Sequence, residues 1–379
     1  MTARPPGHGL IVDLPRGHDD DAPHLRGLAA LAARVLADPA RPGAARLAAE
    51  RGWRTRHQLD ADRSAFAFWS ADDDVADAAT ALTAHAGRWS AQDADRLDRA
   101  KAAQSALADQ RAAQILTRLN QASHQAAWGW APPSPLGDRE TIGNLTPDVV
   151  RDELARLTRG ARTHTATRRT PDGTRPPQPG EQRSAPDDRT WQGGLAHAPT
   201  TAESARLSVR LPCESSRPGA LEVLVEVLGS GPEGRLHRSL RTERALAYGF
   251  SAGHWSQDST NSVAATAFVR ACDAAATSRI LLRAVRDLLE DPLVPEEEFE
   301  AARHRCLARL LASLDDPFAE ADEARRAARG QRPVADLVRH VTELPSLEGL
   351  RAAPGRPAVA VVGPEPCRPA VEEALGRYL

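Results

Sequence analysis

Apolar residues recur along this chain at two spacings, and the change from one to the other predicts the order of elements. An apolar run from Leu10 to Leu14 predicts a short strand, and the spacing from about Leu25 to Ala37 predicts a helix. Trp53, Thr55, His57 and Leu59 alternate toward a turn at Asp60-Ala61-Asp62, and Ala65 to Trp69 returns from it, the pattern of a hairpin. Helical spacing follows near 73–87, 91–122 and 147–159. Thr146 is a capping residue for the last of these, with Pro147 at its first position.

From Gly160 to Gly194 the periodicity stops. The segment is rich in Pro, Thr, Arg and Gly and nearly free of apolar residues, so it cannot bury a core and reads as an exposed linker. It divides the chain into an N-terminal domain (1–160), a linker (161–194) and a C-terminal domain (195–379). In the second half Leu207, Val209 and Leu211 alternate as a strand, while Leu221, Leu224, Val225 and Leu228 have helical spacing. Val263 to Val269 predicts a strand and Ile280 to Leu289 an amphipathic helix. Pro295 and Glu296 to Glu298 open another helix, whose buried stripe is Phe299, Ala302, Cys306 and Leu310. A strand from Pro357 to Val362 and a C-terminal helix close the chain. Each half is an α+β unit, a sheet with helices packed on it.

Composition narrows the function classes. A length of 379 residues accommodates two domains of roughly 150–200 residues each. The net charge of −2 gives no electrostatic reason to expect nucleic acid or an anionic membrane as partner. Lys101 is the only lysine, and the excess of arginine together with abundant alanine reads as a coding bias. No apolar run approaches the roughly 20 residues of a membrane span, and the N-terminus lacks the apolar core of a secretory signal. Cys213, Cys272, Cys306 and Cys367 are widely spaced and form no zinc pattern. They read as reduced thiols, and the chain as cytoplasmic.

Candidate chemistry concentrates between Leu228 and Ser251. A glycine-rich turn (Gly229, Ser230, Gly231) leads to an Arg-rich helix and then to a strand entered through Leu246-Ala247-Tyr248, with Arg241 seven residues before Tyr248. On structural grounds alone, Arg241 pairs with an acid such as Glu243 and Tyr248 packs at a strand start. Two other clusters carry less. Gly17-His18-Asp19-Asp20-Asp21 with His24 lacks helical spacing and reads as a solvated acidic loop ahead of a metal site. His304 and Cys306 are two apart on a helix and share no face.

The Leu228–Ser251 block resembles the C-terminal-domain signature of the pitrilysin/insulinase-type (M16) zinc peptidases, LGGG-x-SRL-x-x-x-LR-E-x-x-GLAY. The helix start from Val294 to Ala302 and the closing Ala358-Val359-Ala360-Val361-Val362-Gly363 fall in the order that family shows. His8-Gly9-Leu10-Ile11-Val12 resembles its opening strand, and Gly27-Leu28-Ala29 the residues just before its zinc motif. Where catalytic members read HFLEH, two histidines on one helical face flanking a general-base glutamate, this chain has Ala30, Leu31, Ala32, Ala33 and Arg34. The position of the third ligand falls near Gln104 or Ser105.

The resemblance implies two similar domains, each a mostly antiparallel sheet with helices packed on it (the LuxS/MPP-like metallohydrolase type), together half of a clamshell. It implies no metal in this chain and zinc in a partner, an M16 homologue with which it forms a heterodimer. Arg241 and Tyr248 are then expected to act in trans on a peptide substrate, at a carbonyl and at the developing oxyanion. Gly229, Ser230 and Gly231 would contact the peptide. The implied activity is proteolysis, such as trimming a leader from a ribosomal peptide natural product, by the pair and not by this subunit alone. The alternative is a peptide-binding or scaffold protein of the same fold. The resemblance also leaves the N-terminal domain short of its final strand-and-helix unit, whose place the linker occupies.

Overall fold

The computed structural model describes residues 7–40, 42–71, 75–86, 94–166, 190–229, 231, 233–257 and 260–379. The first part of the chain forms β1 (His8–Leu14), α1 (Leu28–Leu36), α2 (Ala44–Arg51), β2 (Arg54–Leu59), β3 (Ser64–Ser70) and α3 (Asp77–Ala86). Next come α4 (Ala94–Ala113), α5 (Ile115–Trp128), α6 (Arg139–Gly143), α7 (Pro147–Thr158) and β4 (Arg162–Ala166). The second part forms β5 (Gly194–Pro199), β6 (Ser204–Ser215), α8 (Ala220–Gly229), α9 (Arg235–His237), β7 (Ala247–Gln257) and β8 (Thr260–Arg270). It ends with α10 (Ala274–Glu290), α11 (Glu296–Ser313), α12 (Ala319–Ala328), α13 (Val334–Thr342), β9 (Leu350–Ala352), β10 (Ala358–Gly363) and α14 (Cys367–Leu375).

These elements build two compact α+β units from discontinuous sequence. One draws on residues 1–112, 133–182 and 313–333, the other on 113–132, 183–312 and 334–379. The first unit holds an antiparallel sheet in the order β2-β3-β1-β4. Leu10, Val12 and Leu14 of β1, with Phe66 and Phe68 of β3, face a core closed by α1, α3 and α7. Ile11, Ala65 and Ala67 face the other way, onto Phe318 and Ala321 of the α12 region. Burial on both faces explains why β1 reads as a continuous apolar run.

The second unit holds a sheet in the order β5-β10-β6-β8-β7, antiparallel except for the parallel pair β5–β10, with β9 paired to β6. Leu207, Val209, Val263, Ala265, Val359 and Val361 face the larger core, against α8, α10 and α14. On the opposite face, Leu119 and Ala122 of α5 pack on Ala360 and Val362 of β10.

Most of the periodicity is realised as elements of the expected kind. The Thr146 hydroxyl accepts from the Val149 N–H at 3.4 Å and caps α7. Phe299, Ala302, Cys306 and Leu310 are the buried stripe of α11. Two expectations change. The stretch 91–122 is two helices, broken at Gln114, whose backbone is extended (φ −69°, ψ 127°), and α4 and α5 serve different units. Residues 162–166, expected within the linker, form β4 and pair with β1. A polar strand needs no apolar face when the sheet edge supplies its hydrogen bonds, which is why composition hid it. Residues 167–189 lie outside the described residues. Helix α2, with only Ala44 and Ala48 buried, had too weak an apolar stripe to predict.

Candidate functional site

The Leu228–Ser251 segment starts where α8 meets β7. A Cβ on Gly229 would lie 2.6 Å from the Ala252 Cβ and 2.8 Å from its N, so glycine is what lets the helix end rest on the strand. Gly231 has φ +68° with open space around its Cα. Ser230 lies outside the described residues. After α9 the backbone widens into a π-helical turn, Arg238–Thr242, anchored by buried Leu240 and by the Leu246 N–H donating to the Leu240 carbonyl at 2.7 Å. Ala245 then sits at φ +51°, the one non-glycine with positive φ among the described residues. It occupies the place that glycine holds before LAY in the signature quoted above.

Arg241 is exposed on this turn and forms no ion pair among the described residues. The expected pairing with Glu243 does not occur, because Glu243 binds Arg244 instead at 2.6 Å. Tyr248 stands on a β-bulge: Ala247 faces Val269 and Gly249 faces Phe268, so Tyr248 is the extra residue. A bulge interrupts the alternation of the strand and re-aims the side chain it carries. The Tyr248 ring is 60% exposed, its centroid 5.2 Å from that of Phe268. Both residues thus lie at the surface of the second unit, neither used up by a structural partner of the polar kind.

The sheet beside them carries a set of residues that the sequence reading missed. The Arg206 guanidinium lies 3.7 Å from the Phe268 ring centroid. Arg210, only 2% exposed, lies between Trp255 (4.5 Å) and Trp128 (5.3 Å). Burial pulls its guanidinium down to about 10, and its Nε and Nη1 have no acceptor among the described residues. Ser251 and Thr266 share a hydroxyl hydrogen bond of 2.6 Å. The signal was available: Arg206, Ser208 and Arg210 alternate with Leu207 and Val209, which places the arginines together on the face away from the core.

The region matching the zinc motif is a packing site. The Gly27 N-cap of α1 has φ +93°, and a Cβ there would meet the Leu136 carbonyl oxygen at 2.2 Å. Gln104 is fully buried, and its Nε2 donates to the carbonyls of Gly27 and Leu136, both at 2.8 Å. Ala30 packs with Ala108, Leu136 and Ile142. Among the described residues no group of three His, Cys, Asp or Glu is placed to hold a metal ion, so the residues here do not fit zinc.

The acidic loop ahead of α1 is also structural, and less solvated than expected. Asp21 is buried and accepts from the N–H groups of Gly27 (2.9 Å) and Ala29 (3.1 Å), satisfying the start of the helix. Burial outweighs those bonds and raises its carboxyl to about 6. The cysteines are unpaired; burial pushes the thiols of Cys213 and Cys306 up to about 12, which keeps them protonated. His304 is exposed where Cys306 is buried, so the two face apart. Among the described residues no helix is long and apolar enough to cross a membrane.

Residues 141–306 match the family described as the peptidase M16 inactive domain. No curated protein matches the chain. Among solved structures, the chain is similar to a peptidase M16 inactive domain from Pseudomonas fluorescens, with 16% identity, a TM-score of 0.68, and 96% of this chain and 94% of that one covered. It is similar to a chain of complex III2 from Candida albicans with Inz-5 bound (14% identity, TM-score 0.69, 100% and 94% covered). A protease from Helicobacter pylori is similar at 12% identity, with a TM-score of 0.66 and 96% and 95% covered. At these identities the likeness is one of fold.

Proposed function

We propose that this chain is the non-catalytic subunit of a heterodimeric M16 zinc peptidase, a reading supported by the match of residues 141–306 to the peptidase M16 inactive domain. It binds an unstructured peptide and lends Arg241 and Tyr248 to the active site of a zinc-bearing homologue. The observation that carries this reading is the bulge at Tyr248, which holds a phenol 60% exposed beside a turn bearing an arginine with no carboxylate partner among the described residues. A guanidinium offers fixed donors to a peptide carbonyl, and a phenolic O–H donates to the oxyanion formed when water attacks. Gly231, with open space around it, leaves room for a peptide backbone, whereas Gly229 is taken by packing. The substrate class that suits the pair is a short unfolded peptide, such as the leader of a ribosomal natural product.

The test is co-expression with a zinc-bearing M16 homologue and a peptide-cleavage assay on the purified complex. Tyr248→Phe is expected to lower turnover by about 100-fold through loss of an oxyanion donor, with the complex still assembled. An Arg241→Ala, Tyr248→Phe double variant that cleaves at the wild-type rate sinks the reading. So does zinc-dependent cleavage by this chain alone. The likeness to a chain of complex III2 favours a second reading, a scaffold of the same fold. A scaffold predicts a stable complex indifferent to both substitutions.

A further inference from the structure

Ion pairs engage several arginines of the first unit. Arg16, Arg56, Arg63, Arg325 and Arg329 each hold a carboxylate. Arg34, at the end of α1, and Arg96 and Arg99, on the first turns of α4, hold none among the described residues, yet they line one cavity of about 380 Å³. Among the described residues Asp38 is the only acid in that lining, and its Oδ1 accepts the Ala40 N–H at 2.9 Å. Val35, Ala37 and Ala100 complete the walls.

Gathering three guanidinium groups around one carboxylate, Asp38, leaves a net positive charge and is unfavourable, and it is worse for a donor removed from water. The Arg34 Nε is shielded from solvent and has no acceptor among the described residues. Its charge is felt nearby: burial and then Arg34 hold the His57 imidazole down to about 4, so that ring adds no competing positive charge at neutral pH. An oxyanion in the cavity would supply the missing acceptor and the missing charge together. Guanidinium forks match the oxygens of a phosphate group in pairs, which a hydrated lysine ammonium would not. The volume exceeds that of a bare phosphate, leaving space beside the apolar walls for the molecule that carries it.

We propose that Arg34, Arg96 and Arg99 form a binding site for a small molecule bearing a phosphate group, at the end of the helix where catalytic relatives would carry their metal motif. This is independent of Arg241 and Tyr248, and its test needs no peptidase activity. Titration calorimetry and thermal melting of the full chain, with pyrophosphate as probe and sodium chloride added to equal ionic strength in the reference, read it directly. Pyrophosphate is expected to bind one to one and to raise the melting temperature. Arg34→Gln is expected to weaken Kd by about 10-fold or more, and Arg96→Gln with Arg99→Gln, two exposed positions where folding is not at stake, by at least as much. Arg34→Lys should recover only part of the loss. The proposal is overturned by no binding to the wild-type chain, by binding that survives in the Arg96/Arg99 variant, or by citrate binding as tightly at the same ionic strength.

Discussion

Arg325 of α12 donates from Nε to Oδ1 of Asp13 in β1 at 3.1 Å, joining residues 312 positions apart in sequence. Asp13 is 2% exposed and also meets Arg63 at 3.3 Å, while Arg325 Nη2 reaches Asp60 at 3.1 Å. Arg329 binds Asp60 and Asp62, and Arg56 pairs with Asp322. A helix encoded late in the chain is thereby fixed to a sheet encoded early.

Arg325→Ala should therefore destabilise the first unit by about 3 kcal/mol, since it leaves a buried carboxylate short of a partner. Urea denaturation followed by fluorescence measures this. Arg325→Lys should recover little, because one ammonium does not span both Asp13 and Asp60. A loss below about 0.5 kcal/mol would mean that the apolar contacts of Phe318 and Ala321 hold α12 unaided.

Gln104 answers the question of the absent third ligand. Its amide donates to two buried carbonyls, so Gln104→Glu at pH 7 sets a carboxylate against them. The expected cost is about 2–3 kcal/mol, easing as pH falls and the acid regains a proton to donate. Zinc retention in equilibrium dialysis should not change, since no group of three His, Cys, Asp or Glu is placed to hold a metal among the described residues.

Ala245 at φ +51° carries the steric cost of a Cβ in the left-handed region. Relaxing it by Ala245→Gly should stabilise the protein by about 0.5–1 kcal/mol, the strain relieved less the entropy glycine loses on folding. A shift in the denaturation midpoint at constant slope is the signature. Ala245→Val should move the midpoint the other way.

Glu222 links α8 to β7 and α11. His254 Nε2 lies 3.1 Å from Oε1, and Arg309 Nη2 lies 2.7 Å from Oε2. The hydrogen bond from His254 and then that from Arg309 hold its carboxyl down to about 2, against an ordinary 4.5. A depressed folded-state value means that the stabilisation is complete above about pH 4.5 and is lost as pH falls toward 2. Glu222→Gln should cost roughly 2 kcal/mol at pH 7 and flatten the decline in stability between pH 5 and pH 2.

Legibility in the sequence followed burial. Elements whose apolar residues face one continuous core, such as β6, β8, α10 and α11, stood out because their periodicity is a direct record of that face. Strand β4 did not, since it satisfies backbone hydrogen bonds at a sheet edge and its residues 162–165 are polar. The division at Gln114 was hidden for another reason: both α4 and α5 have helical spacing, and which sheet each one covers is not written in either stretch. At the candidate site, Arg241 and Tyr248 were legible as a motif. Arg206 and Arg210 were legible only as strand residues, because their aromatic partners Phe268, Trp128 and Trp255 come from separate segments.

The sequence by itself determined the α+β class, the peptidase-like signature around Tyr248, and the presence of Ala30, Ala33 and Arg34 where the resembled zinc motif has its two histidines and general-base glutamate. Those are matters of residue identity and local spacing. Tertiary structure alone decided that Tyr248 leaves the ladder on a bulge, that Ala245 takes a glycine's conformation, that α5 and α12 serve units other than the expected ones, and that Arg34 meets Arg96 and Arg99 around a cavity. Each of these depends on which distant segment supplies the neighbour, and long-range pairing is set by the competition of whole faces for burial and of buried charges for partners.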